Sequence, residues 1–294
     1  LLGLIGGVFG VVGSDMAVGG DLTVFAREGF DIRSAVDSQQ TDYAGRQGST
    51  RYTGSASSET NRLATIQVGG DAAFGTDGAF AVTGGVVDAG GALSVAADTI
   101  AVTGVKDVAD YEHDAVTKKT GLLSSTKTAT HDEAHDETIV RSTLSGDTIA
   151  TRSTSGTTVL GSNIVASNGI DMASGGDMTL GAMAAHDSEA HSISTKKSGI
   201  SLAGDGVFAG VAKTRSATTT ESVTHTGSLI GSAEGDVTLA ARQGLTIAGS
   251  QVVGTGTTTL SGTNVTIENV TDTVDTTSLS KSSSAGVSIG VYET

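Results

Sequence analysis

The sequence contains no cysteine, no proline and no tryptophan, and aromatic residues make up 3% of its 294 positions. Without cysteine the chain can form neither a disulfide framework nor a cysteine-ligated zinc or iron–sulfur site. The scarcity of aromatic rings removes the stacking platforms on which proteins bind bases. The missing proline suits a backbone in which nearly every N–H group donates to a β-ladder, because proline lacks that donor.

Positive charge and long apolar runs are scarce as well. The chain has 17 Lys and Arg against 32 Asp and Glu, a net charge of −15. This charge repels a phosphate backbone, so we expect no nucleic-acid partner. The apolar run from Leu1 to Val12 is too short to span a bilayer and lacks the features of a signal peptide, so we expect it to be part of the fold. Because the sequence does not begin with Met, we interpret it as a fragment of a longer protein.

The abundant residues are glycine, threonine and serine, with 42, 43 and 34 copies. Among them, short apolar strand cores recur about every 20 residues, which is typical of the coils of a parallel β-solenoid. The clearest run of these cores is Val237–Leu239, Leu245–Ile247, Gln251–Val253, Thr258–Leu260 and Val265–Ile267. We predict that the apolar side chains of such cores point inward, while Thr, Ser and Asp point outward. The residues predicted to point inward are Leu239, Ile247, Val252, Leu260, Val265 and Ile267.

On a longer scale, two kinds of segment alternate along the sequence. Solenoid-like stretches cover residues 1–32, 63–105, 143–183 and 226–270, and polar stretches cover 33–62, 106–142, 184–225 and 271–285. We predict one all-β solenoid region over 1–294, with repeat units of approximately 1–105, 106–183 and 184–270 and a partial unit at 271–294. Residues 121–143 carry no turn-forming pair and do not suit a coil, so we interpret the polar stretches as β-hairpins that leave the solenoid and return. Disordered loops are the competing interpretation.

Two segments carry a resemblance to a known family. They are GSQVVGTGTTTLSGTNVTIENV at 249–270 and KKTGLLSSTKTATHDEAHDETIVRSTLSGDTI at 118–149. Both resemble haemagglutinin repeats of filamentous-haemagglutinin-type exoproteins of two-partner secretion systems, which include adhesins and contact-dependent growth-inhibition toxins. The resemblance covers nearly the whole chain and is weakest in 33–62.

The resemblance implies a right-handed parallel β-helix with polar hairpin or loop excursions, forming the shaft of a very long secreted surface protein. It implies export by an outer-membrane transporter partner, and contact with a target-cell surface or receptor, including possible contact with the outer membrane. The family assigns no catalytic residue to these repeats, so the resemblance implies none here. From the sequence we expect no cofactor and no metal ion.

One constellation could hold a metal ion. His131, Glu133 and His135 are spaced at i, i+2 and i+4, which places them on one face of a strand as a possible zinc triad. The spacing is not that of the helical zinc-protease motif. A solvated polar tip is the interpretation that we prefer, so we assign no metal, catalytic or cofactor residue.

Three further motifs also have a plain structural interpretation. Gly286–Gly290 matches the GxSxG pattern of hydrolases, but chance alone predicts such a match at this glycine content. Aspartates follow glycine at positions 21, 71, 177 and 236, too far apart for a calcium-binding nonapeptide repeat, so we expect corner turns there. The Lys118-Lys119 and Lys196-Lys197 pairs could contact anionic lipid, but a pair is too little for a stable electrostatic anchor, and we expect a solvated rim.

Three functions remain open from the sequence. The first is a structural shaft and adhesive, cell-contact region of a secreted exoprotein, with no catalysis. The second is a stalk segment of a contact-dependent growth-inhibition toxin that engages the target-cell outer membrane, for which the apolar stretches 1–12 and 199–211 are the candidate features. The third is a solenoid enzyme acting on polysaccharide, which the lack of sugar-stacking aromatic residues disfavours.

Overall fold

The computed structural model describes residues 1–203 and 206–290, and these residues form two β-sheets. Within the described ranges there is no helix that could cross a membrane. The strands are β1 (Leu2–Ile5), β2 (Val8–Val12), β3 (Asp15–Val18), β4 (Leu22–Ala26), β5 (Gly29–Arg33), β6 (Ala35–Gln47), β7 (Thr50–Arg62), β8 (Ala64–Val68), β9 (Ala72–Gly75), β10 (Ala79–Thr83), β11 (Gly85–Ala89), β12 (Ala92–Thr103), β13 (Val105–Thr120), β14 (Ser124–Val140), β15 (Thr143–Leu160), β16 (Asn163–Ser174), β17 (Met178–Gly181), β18 (Met183–Ala203), β19 (Gly206–Thr226), β20 (Leu229–Ser232), β21 (Asp236–Ala241), β22 (Gly244–Ala248), β23 (Gln251–Gly254), β24 (Thr258–Ser261), β25 (Asn264–Glu268) and β26 (Thr273–Gly290).

The first sheet is a parallel β-helix in which each coil has three sides. In coil 1 the sides are β1, β2 and β3, and in coil 2 they are β4, β5 and β8. Every strand pairs in parallel with the strand one coil above or below it. Within the described ranges the stack reaches an eighth coil, which contains β24 and β25. The prediction of an all-β parallel solenoid is therefore confirmed.

The core is a thin column of apolar side chains inside the β-helix. Alternate residues of each strand are buried, as in Leu22, Val24 and Ala26 of β4, while the residues between them face outward. Aromatic residues concentrate at the first three coils, where the ring of Phe30 lies 5.4–5.6 Å from those of Phe9, Phe74 and Phe80. Successive coils bury each other's inward residues because one coil cannot cover its own apolar row.

The second sheet is antiparallel and consists of the polar stretches. β6 and β7, β13 and β14, and β18 and β19 form three hairpins, and β26 extends the sheet beyond β19. The hairpins pair edge to edge in the order β26-β19-β18-β14-β13-β7-β6. We call this seven-stranded layer the hairpin sheet. The hairpin interpretation is confirmed for the polar stretches 33–62, 106–142 and 184–225, whereas 271–285 lies on the single strand β26. The alternative of disordered loops is wrong for the described residues.

All hairpins leave the β-helix at the same corner, between its second and third sides, and only from every second coil. The second, fourth and sixth coils carry them, and β26 follows the second side of the eighth. Strands within a sheet lie about 4.8 Å apart, so a two-stranded hairpin is about as wide as two coils are tall. Alternation thus lets each hairpin pair with the next without a gap.

Coils without a hairpin turn this corner on a glycine with positive φ. The four glycines are Gly13 (φ 49°), Gly84 (φ 65°), Gly161 (φ 53°) and Gly249 (φ 57°). Each also lies against the residues that open the neighbouring excursion, and a Cβ on Gly161 would lie 2.9 Å from the Cγ of Met183. Glycine is required there by both the backbone conformation and the lack of space.

The predicted inward positions are only partly buried. Leu239 and Ile247 are buried, and Val252 and Leu260 pack against the core from one side. Val265 and Ile267 stack on Leu245 and Ile247 as predicted, but they are 44% and 68% exposed. The predicted inward register is therefore correct, and the two side chains are exposed because no described coil covers the eighth. The predicted repeat units with limits at 105, 183 and 270 stay a prediction.

The corner aspartates bind the next coil rather than their own turn. Asp21 accepts a hydrogen bond from the backbone N–H of Asp71 (2.9 Å), and Asp71 accepts one from the N–H of Ala92 (2.8 Å). Asp177 and Asp236 do the same for Gly244 and Thr257. The prediction that these residues serve corners is confirmed, but their bonds join successive coils.

We predict that Gly161→Ala lowers the free energy of unfolding by about 1–3 kcal/mol, because alanine is strained at positive φ and its methyl group would contact Met183. Thermal unfolding followed by circular dichroism measures this. Gly19→Ala is the control, since a Cβ there meets nothing within 4 Å. Equal melting temperatures for the two variants would contradict the role of the corner glycine.

One buried hydroxyl offers a second test of the core. Thr151 points into the fifth coil, is fully buried, and its Oγ1 has no hydrogen-bond partner among the described residues. An unpaired buried hydroxyl costs about 1–3 kcal/mol. We therefore predict that Thr151→Val raises the melting temperature. Thr157→Val is the matched control, because Thr157 is buried but its hydroxyl is hydrogen-bonded to Ser153 at 2.8 Å, and it should lower the melting temperature.

Candidate functional site on the hairpin sheet

The hairpin sheet has two faces, since residues directly opposite each other in an antiparallel pair lie on the same side. We call the side with His131 the front face and the side with Tyr43 the back face. Asp114 lies opposite His131, and His131 lies opposite Ser192, so all three are on the front face. These pairings assign each side chain of the sheet to one face.

Charged residues are sorted along the hairpins by sign. All six histidines of the chain lie on the hairpin sheet, four of them in the half of the strand nearer the β-helix and two, His113 and His131, close to the middle of the strand. Most of the carboxylates of the last two hairpins and β26 share that half. The basic side chains gather near the turns instead. Seven of the eight lysines of the chain are there: Lys118, Lys119, Lys127, Lys196, Lys197, Lys213 and Lys281.

The second hairpin carries a network of histidines and carboxylates from its middle toward the β-helix, which we call the acidic band. It consists of Asp110, Glu112, Asp114, His131, Glu133, His135 and Glu137 on the front face. His131 Nδ1 lies 2.9 Å from Asp114 Oδ1, and His135 Nδ1 lies 2.6 Å from Asp110 Oδ1. Glu112 lies directly opposite Glu133, a like-charge pair that destabilises a sheet unless cations are near.

These contacts change the pKa values of the groups involved. The hydrogen bond to Asp114 raises the pKa of His131, and the hydrogen bond to Asp110 raises the pKa of His135. Burial tends to raise the pKa of Glu137. The Lys106 ammonium at 2.7 Å and the backbone N–H of His186 outweigh that effect, so the pKa of Glu137 is lowered. Protonated histidines are thus stabilised between carboxylates.

Two further histidine–carboxylate pairs join neighbouring strands of different excursions. His191 of the third hairpin pairs with Asp132 of the second. His225 of the third hairpin pairs with Asp272, just before β26, at 2.9 Å. Side chains therefore add to the backbone hydrogen bonds that hold the hairpins together.

The predicted triad is only partly assembled. His131, Glu133 and His135 share the front face as predicted, and His131 Nε2 lies 3.7 Å from Glu133 Oε2. The residues whose ligand atoms come within 4.8 Å of one another are Glu112, Asp114 and His131, so His135 lies outside that group. The three residues could hold a cation with few protein ligands. The predicted position at a tip is wrong, because the hairpin turns at residues 121–124.

The half nearer the turns carries two adjacent rows of basic side chains on the front face. In one row Lys118, Lys127, Lys196 and Lys213 lie opposite one another across β13, β14, β18 and β19. In the next row Arg46 lies opposite Arg51, and Arg215 lies opposite Lys281. All eight are exposed. We call them the basic belt.

The back face holds the aromatic residues of the first two hairpins. Tyr52 lies over Gly45 and Tyr43 over Gly54, each directly across the strand pair. His113 stacks on Tyr43 with ring centroids 5.8 Å apart, and its Nδ1 lies 3.0 Å from the Tyr43 hydroxyl. A hydrogen bond with Tyr111, with burial next in weight, raises the pKa of Tyr43 to about 12. The cluster rigidifies the pairing of the first hairpin with the second.

Comparison with known proteins identifies the repeat that builds this arrangement. The family model described as Hemagglutinin repeat matches residues 209–294, which include β19 and β26. Residues 209–294 thus match a hemagglutinin repeat. Its similarity to filamentous-haemagglutinin-type exoproteins, expected from the segments at 118–149 and 249–270, is confirmed.

Curated proteins similar to this chain carry the name CdiA. The chain is 24% identical to tRNA nuclease CdiA-2 of Burkholderia pseudomallei over 282 residues, 94% of this chain and 9% of that protein. It is 36% identical to Toxin CdiA of Yersinia pestis over 110 residues, 37% of this chain and 3% of that protein. It is 32% identical to tRNA nuclease CdiA of Escherichia coli O6:K15:H31 over 166 residues, 54% of this chain and 5% of that protein.

The chain thus spans less than a tenth of the length of these three relatives. No solved structure matches it. The names of the relatives describe whole proteins, of which the matched part is a small share.

The remaining sequence motifs occupy structural positions. Gly286–Gly290 lies within the extended strand β26, which lacks the strand–turn–helix context of a nucleophile elbow. The two lysine pairs lie near the turns of the second and third hairpins. The two lysines of each pair lie on opposite faces of the sheet. Lys118 and Lys196 belong to the basic belt, and Lys119 and Lys197 lie on the back face. The belt cannot be recognised in the sequence, because only the pairing of hairpins shows that lysines about 80 residues apart are neighbours.

We predict that the pKa values of His131 and His135 lie above the usual histidine value of about 6.5, as NMR titration of the ring protons would measure. Asp114→Asn should lower the pKa of His131 and leave that of His135 nearly unchanged. Because both pKa values are raised on folding, their stabilisation is full below about pH 6.5 and is lost as pH rises through the folded values. An unshifted His131 in the native chain would contradict the pairing with Asp114.

Proposed function

We propose that the chain is a shaft and cell-contact segment of a long secreted bacterial surface exoprotein, and that it binds through an extended surface without catalysis. The observation that carries the proposal is the continuity of the hairpin sheet. Hairpins from every second coil join into one seven-stranded antiparallel sheet beside the β-helix. The layer grows with the number of coils, so length and contact area increase together.

The β-helix and the hairpin sheet have different roles in this proposal. The β-helix supplies length and stiffness, because each of the second to sixth coils is hydrogen-bonded to the coils on both sides of it along all three faces. The hairpin sheet supplies exposed, patterned charge. The net charge of −15 keeps neighbouring shafts apart on a crowded cell surface.

Export and location follow from the hemagglutinin repeats. We propose that an outer-membrane transporter of a two-partner secretion system exports the parent protein, and that the segment works outside the cell or on its surface. A chain without cysteine suits export in an unfolded state, because no disulfide has to be avoided or formed.

A second candidate function is a stalk segment of a contact-dependent growth-inhibition toxin. The similarity to tRNA nuclease CdiA-2 over 94% of the chain favours it. In that case the segment would carry a toxin to a target cell and engage its outer membrane, while the chemistry would belong to another part of the parent protein. The sequence that flanks the segment distinguishes an adhesin from a toxin.

An enzyme acting on polysaccharide is not favoured. Glycoside hydrolysis uses two carboxyl groups that flank a bound sugar. On the front face Glu112 and Glu133 lie directly opposite each other on an open strand pair, where water surrounds both side chains.

The test is binding of the labelled 294-residue chain to bacterial cells. In one variant, a Gly-Ser corner replaces residues 104–142, imitating the coils that carry no hairpin. We expect it to keep the β-sheet circular dichroism spectrum and to lose most cell binding, because the hairpin sheet is interrupted. The control replaces Thr158, Thr179, Thr238 and Thr246, which point outward from the β-helix, by alanine. Undiminished binding of the hairpin-deleted variant would contradict the proposal.

A further inference from the structure

The basic belt contains a row of four lysines with no acid between them. Lys118, Lys127, Lys196 and Lys213 are direct cross-strand neighbours, so their Cβ atoms are about 5 Å apart. Like charges at such positions destabilise a sheet. Among the described residues, none of the four takes part in an ion pair, although acids outnumber basic residues almost two to one in the whole chain.

The absence of acids extends over the outer parts of the second and third hairpins and of β26. Residues 115–130 and 276–289 contain no Asp or Glu, and residues 190–220 contain only Asp205, which lies outside the described ranges. The acids of these strands lie closer to the β-helix, and among the described residues none of them forms an ion pair with the lysine row. The positive charge is therefore left open to an external anion.

Apolar side chains lie beyond the lysine row, toward the turns, on the same front face. Ile200, Ala209 and Val287 form one cross-strand row, and Val207 lies opposite Ile289 in the next. Val287 and Ile289 are each 67% exposed. At the turn of the second hairpin the Leu122 side chain is fully exposed. The front face thus changes from acidic to basic to apolar on the way from the β-helix to the turns.

We propose that the turn end of the hairpin sheet docks on an anionic lipid surface, with the basic belt against headgroup phosphates and the apolar rows inserted below them. The proposal deepens the proposed function, on which it rests for the hairpin sheet as the contact surface. It names the partner class as a membrane rather than a protein receptor.

The distance between the lysine row and the apolar rows fits a lipid surface. Ile200 follows Lys196 by four residues, and a strand advances about 3.3 Å per residue, so the apolar row lies about 13 Å beyond the lysine row. Long lysine side chains can bend back along the apolar surface and shorten that gap. Interfacial segments place apolar groups about 5–10 Å into the headgroup boundary with basic residues beside the phosphates. A soluble polyanion would make no use of the exposed apolar rows.

The belt also offers room for a headgroup. Lys213, Arg215 and Lys281 line an open depression of about 610 Å³ together with serine and threonine hydroxyls. Ammonium and guanidinium groups bind phosphate by charge-assisted hydrogen bonds, and hydroxyl groups donate further bonds. The depression crosses the pairing of β19 with β26, so it exists only when these strands are joined.

The experiment is flotation of the 294-residue chain with lipid vesicles. We expect binding to vesicles of phosphatidylcholine with 30% phosphatidylglycerol and little binding to phosphatidylcholine alone. The variant Lys118→Gln, Lys127→Gln, Lys196→Gln and Lys213→Gln should bind the anionic vesicles about 600-fold less tightly, since each lysine near such a surface contributes about fivefold. The control replaces four exposed arginines outside the belt, Arg27, Arg33, Arg62 and Arg242, by glutamine and should bind nearly as the native chain does.

Two further measurements help to interpret a loss of binding. The melting temperature shows whether a variant is still folded, and the salt dependence shows whether the apolar rows take part in binding. Removing the lysine row should raise the melting temperature slightly, because like-charge repulsion is relieved. The variant Leu122→Ser, Val287→Ser and Ile289→Ser should bind anionic vesicles at low salt but detach at 0.3 M salt, whereas the native chain stays bound.

Several results would overturn the lipid assignment. They are equal binding to neutral and anionic vesicles, equal losses in the lysine variant and the arginine control, and binding that the serine variant leaves unchanged at every salt concentration. Polyphosphate that binds the native chain and the serine variant alike, with no flotation, would assign the belt to a soluble polyanion. Cell binding that persists without vesicle binding would remove the lipid partner and leave the shaft and contact function standing.

Discussion

The spacing between hydrogen-bonded strands, about 4.8 Å, is the constraint on which the rest of the structure depends. It sets the rise of each coil and also the width of each hairpin. A hairpin on every coil would need twice the space available, and a hairpin on every third coil would leave gaps. With hairpins on alternate coils, a parallel β-helix and an antiparallel sheet grow side by side in register.

The corner where hairpins leave shows how this constraint reaches single residues. A coil without a hairpin must turn there beside the excursion of its neighbour. Gly161 and Gly249 do so at positive φ with no room for a side chain. After the second and third hairpins, Ser142 and Ser228 turn the same corner with hydroxyls that bond the adjacent backbone. The alternation of coils with and without a hairpin is therefore determined by the corner residues as well as by the lengths of the polar stretches.

The hairpin sheet joins residues that are far apart in the chain, and its chemistry arises from that joining. Lys118 and Lys213 are 95 residues apart, yet they belong to one row because two intervening strands connect them. The acidic band and the histidine pairs form in the same way near the β-helix. Within each hairpin, most acidic residues lie nearer the β-helix and most basic residues nearer the turn. Because the hairpins pair side by side, this separation extends across the whole sheet and forms a charged surface that a single hairpin could not provide.

The sequence by itself determined the local features: period-2 strands, glycine corners, about 20 residues per coil, and polar stretches too long and too regular for corners. These depend on neighbours within a few residues, so spacing reveals them, as at Val237–Leu239 and Leu245–Ile247. Only the tertiary structure decided which hairpin pairs with which, and therefore that Glu112 rather than His135 joins His131 and that separate lysine pairs merge into one belt. Register between distant strands depends on the height at which each hairpin leaves the β-helix, and no local pattern encodes that height.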